Sequence, residues 1–382
     1  MLPTIRAGVP SISKAVYHAI RFAAHDPAVY ITLPVGDAVR RVLIVRDIEM
    51  PRAKQLPTAD RVYCPADFAP TEGLSGDREI ATAQAAAVCL TRHGVRRVAG
   101  DRSLPLVFAE HLREAGVDVV LDPDLGVLDR RRKDDSEVAA IRQAQRDTEA
   151  VIAEVCGLIR HATARRDGVL VHDGAPLTSD SVRAMIDLKL MARAYSNEGS
   201  IIAGGPIGSD CHHYGVGELR TGEPVLVDVF PQSKTTLYHG DCTRTVVHGD
   251  VPDAVRGMHA AVLAAKRAAE NATSAGVTGD AVHQATVAAM KAHGVHVGTP
   301  SADADPQTWF LPHGTGHGLG LDLKEPPLLD FKGVELLAGD AVTIEPAVYS
   351  RAVGGVRVED LYIVRDGGCE NLNTLYDGLT EW

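Results

Sequence analysis

From residue 200 onward, acids and histidines sit inside runs that otherwise read as buried strands, where a charge is costly unless it is paired or bound to a metal. Five segments carry this pattern. Val225-Leu-Val-Asp228-Val-Phe230 places an Asp in a β-branched run. Tyr238-His-Gly-Asp241-Cys-Thr-Arg244-Thr245 places a second Asp thirteen residues later, with Pro231, Gln232, Ser233 and Lys234 between them to suit a hairpin turn. A hairpin can bring both carboxylates together, and close carboxylates repel unless a proton or cation lies between them. Pro312-His313-Gly-Thr-Gly-His317-Gly-Leu-Gly-Leu321 frames two histidines with glycines. It lacks the GxGxxG register of a phosphate loop, so the glycines read as room for a backbone to approach a site. Val342-Thr-Ile-Glu345-Pro-Ala closes an apolar strand with a Glu. Gly354-Gly-Val-Arg357-Val-Glu359-Asp360-Leu places Arg357 and Glu359 on one face of a strand, because side chains alternate with period two.

Each segment alone has a bland explanation: a turn cap for Asp228, a surface ion pair for Arg357 and Glu359, satisfied core residues for the histidines. Together they offer two Asp, one His and two Glu, ordered along the strands of one domain. Oxygen-rich ligation with a single imidazole suits Mn, Co, Fe or Zn and needs no thiolate. Five ligands for two ions about 3.5–4 Å apart require shared, bridging carboxylates.

In order, residue type and local motif, these segments resemble the pita-bread metallopeptidases: methionine aminopeptidase, aminopeptidase P, prolidase and creatinase. The N-terminal α/β half extends the resemblance to almost the whole chain. It favours the aminopeptidase P, prolidase and creatinase branch, since methionine aminopeptidases lack that domain. The resemblance implies that Asp228, Asp241, His317, Glu345 and Glu359 hold two divalent metal ions, with Asp241 and Glu359 bridging. Manganese is the first expectation, with Co, Zn or Fe as alternatives. It further implies Glu345 as general base, Arg357 as the group that holds the bridging carboxylates, and His313 as a substrate contact. A further family histidine lies upstream of the first Asp. Ser209-Asp-Cys-His212-His213-Tyr-Gly215 offers two candidates, and the sixteen-residue spacing to Asp228 favours His212, where it would stabilise the oxyanion.

The implied activity is hydrolysis of the bond between an N-terminal residue and proline in short peptides, by an Xaa-Pro aminopeptidase or, alternatively, an Xaa-Pro dipeptidase. Two departures stand out. The Asp-to-Asp interval is slightly longer than usual in the family, which lengthens the hairpin turn and leaves the ligands intact. Lys324, in Leu321-Asp-Leu-Lys324-Glu-Pro-Pro, stands where the family usually has a substrate-binding His, seven residues after the ligand His. A dipeptidase needs a positive group for the free carboxylate beside proline, and Lys324 is a candidate. The rival readings are a metal-free creatinase-like C–N hydrolase, which would lack the full carboxylate set; a metal-dependent hydrolase of a non-peptide amide; and a catalytically inactive pita-bread binding module. His239 shares the strand face of Asp241 but is not a family ligand. Cys242 alternates to the other face, and His248, His283, His293 and His296 read as ordinary loop or helix residues.

The elements that must position these groups follow from periodicity. The expected fold class is α/β (α+β): a creatinase-like α/β domain over residues 1–130, structural or oligomerising, then a pita-bread catalytic domain over 131–382. Strands are expected at 29–33, 42–45 and 117–121, and a helix from Leu104 to Ala115 with Leu106, Phe108 and Leu112 inward and Gly116 as its stop. The basic run from Asp129 to Asp135 reads as a solvated linker or helix entry, with Ser136 capping a helix to about Ala162 on the apolar positions Val138, Ile141, Val151, Ile152, Val155 and Ile159. Further helices are expected at 182–194, 253–270 and 280–292.

The chain has 382 residues and a net charge of −11, which argues against a nucleic-acid partner. With 45% hydrophobic and 23% charged residues it reads as globular. Its six cysteines form no CxxC pair, as in a reduced, cytoplasmic protein. No apolar run approaches the ~18 residues of a membrane span, and the N-terminus shows no secretory h-region. Asn271-Ala-Thr273 therefore reads as a chance glycosylation pattern. The expected partners are a short peptide with proline at its second position and, by resemblance, a second copy of the chain in a homodimer.

Overall fold

The computed structural model describes residues 2–382. The chain divides into two compact units, one ending at Arg130 and one running from Arg131 to Trp382. In the first, β1 (Thr4–Gly8), β2 (Ala28–Val35), β3 (Ala38–Ile44), β4 (Arg61–Tyr63), β5 (Arg97–Gly100) and β6 (Asp118–Leu121) form one sheet in the order β4-β3-β2-β1-β5-β6. The central pairs β1–β2 and β2–β3 are antiparallel, and β3–β4, β1–β5 and β5–β6 are parallel. The helices Arg78–Arg92 and Leu106–Glu114 supply Ala83, Ala86, Ala87, Leu90, Phe108 and Leu112 to the core with Ile5, Ile31 and Val42. Leu106 departs from expectation and is 70% exposed. It opens the helix directly after Pro105, and the buried stripe runs through Phe108, Ala109 and Leu112 instead.

The second unit opens on the helix Asp135–Arg160, and all six apolar positions named above are buried. Its cap is Asp134, not Ser136: Asp134 accepts from the Glu137 N–H while the Glu137 carboxylate accepts from the Asp134 N–H. This reciprocal box satisfies two end donors at once, which a lone Ser cannot do. The basic joint is solvated only in part: Arg132 is exposed, whereas Arg131 and Lys133 are buried. Arg131 donates Nε and Nη2 to the Asp340 carboxylate at 2.9 and 2.6 Å, and Lys133 donates to Glu325 Oε1 at 2.6 Å, with all four side chains buried. The acids that neutralise Arg131 and Lys133 lie about two hundred residues away, so local sequence shows only the charge of these two residues.

Helix Ser179–Ala192 follows, then an antiparallel sheet of Ser200–Gly204, Pro224–Val229 and Cys242–Val247. The order repeats with helices Asp253–Ala272 and Gly279–Ala292, followed by more strands. One sheet runs Glu325–Leu329, Gly316–Gly318, Ala341–Ile344, Asp360–Arg365, Gly368–Asn371, all antiparallel, and another includes Phe310–Leu311, Ala347–Ser350 and Gly354–Arg357. Among the described residues, no helix is long and apolar enough to cross a membrane.

Candidate metal centre

Strand Pro224–Val229 is buried at every position and lies between two partner strands, with Asp228 opposite Thr243. Asp241 stands one residue before the strand Cys242–Val247. The long antiparallel connection between them brings both carboxylates to one end of the sheet. Gln145, on the buried face of helix Asp135–Arg160, fixes the Asp241 backbone from both sides: its Oε1 accepts the Asp241 N–H at 2.9 Å and its Nε2 donates to the Asp241 carbonyl at 2.7 Å. No motif in the sequence marks Gln145 as this anchor. Its only trace is a Gln standing in the apolar stripe between Ile141 and Ile152.

His317 sits in the short strand Gly316–Gly318, wedged between two others. A Cβ on Gly316 would lie 2.0 Å from the Thr343 carbonyl oxygen, and one on Gly318 2.4 Å from the Glu325 carbonyl oxygen. Glycine is therefore required on both sides of the histidine for the strands to close. His317 Nδ1 donates to the Gly318 carbonyl at 3.1 Å. A carbonyl only accepts, so this bond leaves the Nε2 lone pair free. That lone pair faces Asp241 Oδ2 at 3.7 Å and Glu345 Oε1 at 3.5 Å. Burial pushes the imidazole pKa down to about 4, so the ring is neutral near pH 7.

Glu345 follows the strand Ala341–Ile344 and precedes Pro346. Arg357 ends the strand Gly354–Arg357, and the strand stops there, so Glu359 lies in the gap before Asp360–Arg365 rather than on a continuous strand. The Glu359 N–H crosses instead to the Thr243 carbonyl, and its own carbonyl accepts from Arg244 Nη1 at 2.7 Å. Both Arg357 and Glu359 still line the cleft. Arg357 donates Nη2 to Asp228 Oδ2 at 2.6 Å, Nε to Thr243 Oγ1 at 3.1 Å and Nη1 to the Tyr349 hydroxyl at 2.8 Å. The Thr243 hydroxyl in turn donates a hydrogen bond to Glu359 Oε2 at 2.7 Å. The Tyr349 hydroxyl donates to His313 Nε2 at 3.1 Å, and His313 Nδ1 donates to the Gly314 carbonyl. Burial pushes the His313 pKa down as well. Thr243 and Tyr349 were not singled out from the sequence, because nothing in their spacing ties them to Arg357.

Asp228, Asp241, His317 and Glu359 are 7%, 4%, 6% and 2% exposed. Asp241, His317 and Glu359 each bring a donor atom within 4.8 Å of the others. Asp228 and Glu345 border the same cleft, of about 400 Å3, together with His212, His313 and Lys324. His213 turns away, its Nδ1 accepting the Gly215 N–H. His239 and Cys242 are not among the lining residues; Cys242 is buried against Arg244 and the Glu359 carbonyl. Burial first, and then the neighbouring carboxylates, raise the pKa values of Asp241 and Glu359 well above the ordinary range. Burial also raises that of Asp228, against the opposing pull of Arg357.

Three observations test whether these residues suit a cation. Several buried carboxylates face one another without enough positive charge from the protein. An imidazole lone pair points at two of them. Asp228 Oδ1 is buried with no hydrogen-bond partner. A divalent cation among them satisfies all three at once, and the oxygen-rich donor set with one nitrogen fits such an ion.

Fold and site together describe a metal-dependent hydrolase. A family profile, "Metallopeptidase family M24", matches residues 139–366. The chain belongs to this family, whose pita-bread fold and divalent-metal chemistry agree with the site. The chain is 31% identical to "Probable dipeptidase PepE" of Mycobacterium tuberculosis over 275 residues, which is 71% of this chain and 66% of that protein's length. In three dimensions it resembles the "Xaa-Pro dipeptidase from Bacillus anthracis", at TM-score 0.78 and 20% identity, over 99% of this chain and 94% of that one. It also resembles the X-Pro aminopeptidase from Thermotoga maritima, at TM-score 0.76 and 21% identity, over 99% and 97%. At that identity these two likenesses speak for the fold.

Proposed function

We propose that this chain is a dinuclear-metal hydrolase that cleaves the bond between an N-terminal residue and proline in short peptides, with Asp228, Asp241, His317, Glu345 and Glu359 holding the ions. The observation that carries this reading is the convergence of buried carboxylates and a neutral imidazole on one cleft, with a carboxylate oxygen left unsatisfied by protein groups. The bound ions supply Lewis acidity, which lowers the pKa of a water and polarises a carbonyl. Glu345, the least buried of the acids with a side chain 19% exposed, takes the water proton and hands it to the leaving nitrogen. His212, on the cleft wall, donates to the developing oxyanion. Arg357 holds Asp228 and, through Thr243, Glu359.

The peptidase class draws support from family membership, and proline selectivity from the names of the relatives. The cleft adds a physical reason. Ile201, Phe230, Leu323 and Leu328 line it beside His313, giving an apolar wall for a ring that has no N–H to satisfy. Relatives of both kinds exist, so release of the first residue from longer peptides and cleavage of dipeptides are both open to this scaffold; Lys324 on the wall favours the second.

The test is metal content by mass spectrometry with activity on a panel of Xaa-Pro di- and tripeptides, manganese being loaded first. The expected result is turnover of Xaa-Pro substrates by the loaded enzyme and loss of both metal and activity in Asp241→Ala. An inactive wild type that retains no metal after reconstitution would instead match a binding module.

A further inference from the structure

We propose that Lys324 binds the free C-terminal carboxylate of a two-residue substrate and so makes this chain selective for dipeptides. This deepens the peptidase reading above and rests on it.

Lys324 lines the cleft between Leu323 and Leu328, and its side chain is exposed. Among the described residues it has no ion-pair or hydrogen-bond partner, whereas the other cation of the wall, Arg357, is bonded to Asp228. Asp330, the nearest acid along this wall in sequence, is otherwise engaged. Its Oδ1 accepts the Phe331 N–H at 2.7 Å and lies 3.6 Å from His283 Nε2. An ammonium carries three donors and no acceptor, so the group it lacks is an anion.

The position of Lys324 is fixed by its neighbour. Glu325 is buried in the ion pair with Lys133, and it pairs in register with Gly318, the residue after His317. Glu325 opens its strand turned inward to Lys133, and Lys324, the residue just before it, lines the cleft beside the strand that carries the histidine of the candidate metal centre. In an Xaa-Pro dipeptide the carboxylate belongs to the same residue as the scissile nitrogen, so its partner must stand close to the centre, as Lys324 does. In a longer peptide that place holds a neutral peptide group.

Charge points the same way. Two divalent ions offset the four carboxylates of the candidate metal centre, leaving Arg357 and Lys324 against Asp330 alone, a net positive charge on the wall. A free carboxylate supplies what the loaded cleft lacks.

The test uses Ala-Pro with its scissile amide reduced to a methylene amine, as the free acid and as the C-terminal amide. Each binds to the manganese-loaded protein in a calorimeter. Wild type is expected to bind the acid about ten- to a hundredfold more tightly than the amide, the usual range for a charge-assisted hydrogen bond. Lys324→Met is expected to lose that preference while its affinity for the amide is unchanged, and Lys324→Arg to keep most of it. A purely structural role would weaken both ligands together. Equal losses for acid and amide in Lys324→Met, or no preference in wild type, overturn the proposal, as does failure of the loaded wild type to bind either probe. Binding is read without turnover. A wild type that prefers the acid but cleaves no Xaa-Pro peptide therefore counts against the peptidase reading alone.

Discussion

Asp241→Asn should make the metal-free protein more stable while abolishing its response to metal. The structure crowds Asp241 and Glu359 into a buried site where their donor atoms, with that of His317, lie within 4.8 Å of one another. At that separation and an effective dielectric constant of about 20, two full charges repel by about 3.5 kcal/mol. Partial protonation relieves some of this, as the raised pKa of Asp241 indicates, so the gain from removing the charge is roughly 1–3 kcal/mol. For a unit of this size that amounts to about 2–10 °C in melting temperature. The substitution spares the local anchor, because Gln145 holds the Asp241 backbone and not its side chain.

The loaded wild type gains stability by mass action, about 2.7 kcal/mol at a hundredfold excess of ion over its dissociation constant. Asp241→Asn removes a charged ligand, so this gain disappears. The assay is thermal melting of chelator-treated and manganese-loaded samples of both proteins, with metal content measured in parallel. The reasoning is refuted if chelator-treated Asp241→Asn melts below chelator-treated wild type and still rises on adding manganese. Asp241 would then be an ordinary structural carboxylate.

Arg244→Met should destabilise the second unit by about 3–5 kcal/mol in urea titration, because the fully buried guanidinium holds Asp360 and the carbonyls of Glu359, Leu375 and Tyr376. A loss under 1 kcal/mol would show that Lys266 alone suffices for Asp360. His283 gives a pH prediction. Burial lowers its folded-state pKa below the unfolded value of about 6.5, so its contribution is fully present above that value. It is lost as pH falls through 6.5 toward the folded pKa, since the unfolded chain binds the proton first. His283→Gln keeps a group able to bond Thr315 and should flatten the decline in urea midpoint below pH 6.5; an unchanged slope contradicts the assignment.

The legible part of this protein was its periodicity and its anomalies. Val138 to Ile159 announce a helix because burial of one face imposes a 3.6-residue repeat. Asp228 in a β-branched run, the glycine-framed histidines and Glu345 at a strand end were visible because each breaks the local rule that charge avoids apolar runs. Ser136 fits an N-cap by residue type, but Asp134 with Glu137 three residues on carries the full capping box, and that pair caps the helix. Leu106 fits the apolar pattern but stands in the first turn, where periodicity alone does not choose a face, and it is exposed.

Sequence alone thus determined the kinds of candidate donor, their order, and the chemistry that such a set permits. It could not show that Gln145 grips the Asp241 backbone, that Thr243 and Tyr349 carry Arg357's hold to Glu359 and His313, that His212 and not His213 borders the cleft, or that Arg131 and Lys133 are buried against Asp340 and Glu325. Donor identity is a property of single residues and survives in a linear reading. A hydrogen bond between a side chain and a partner one or two hundred positions away leaves no periodic trace, and only the packing of strands and helices against one another chooses it.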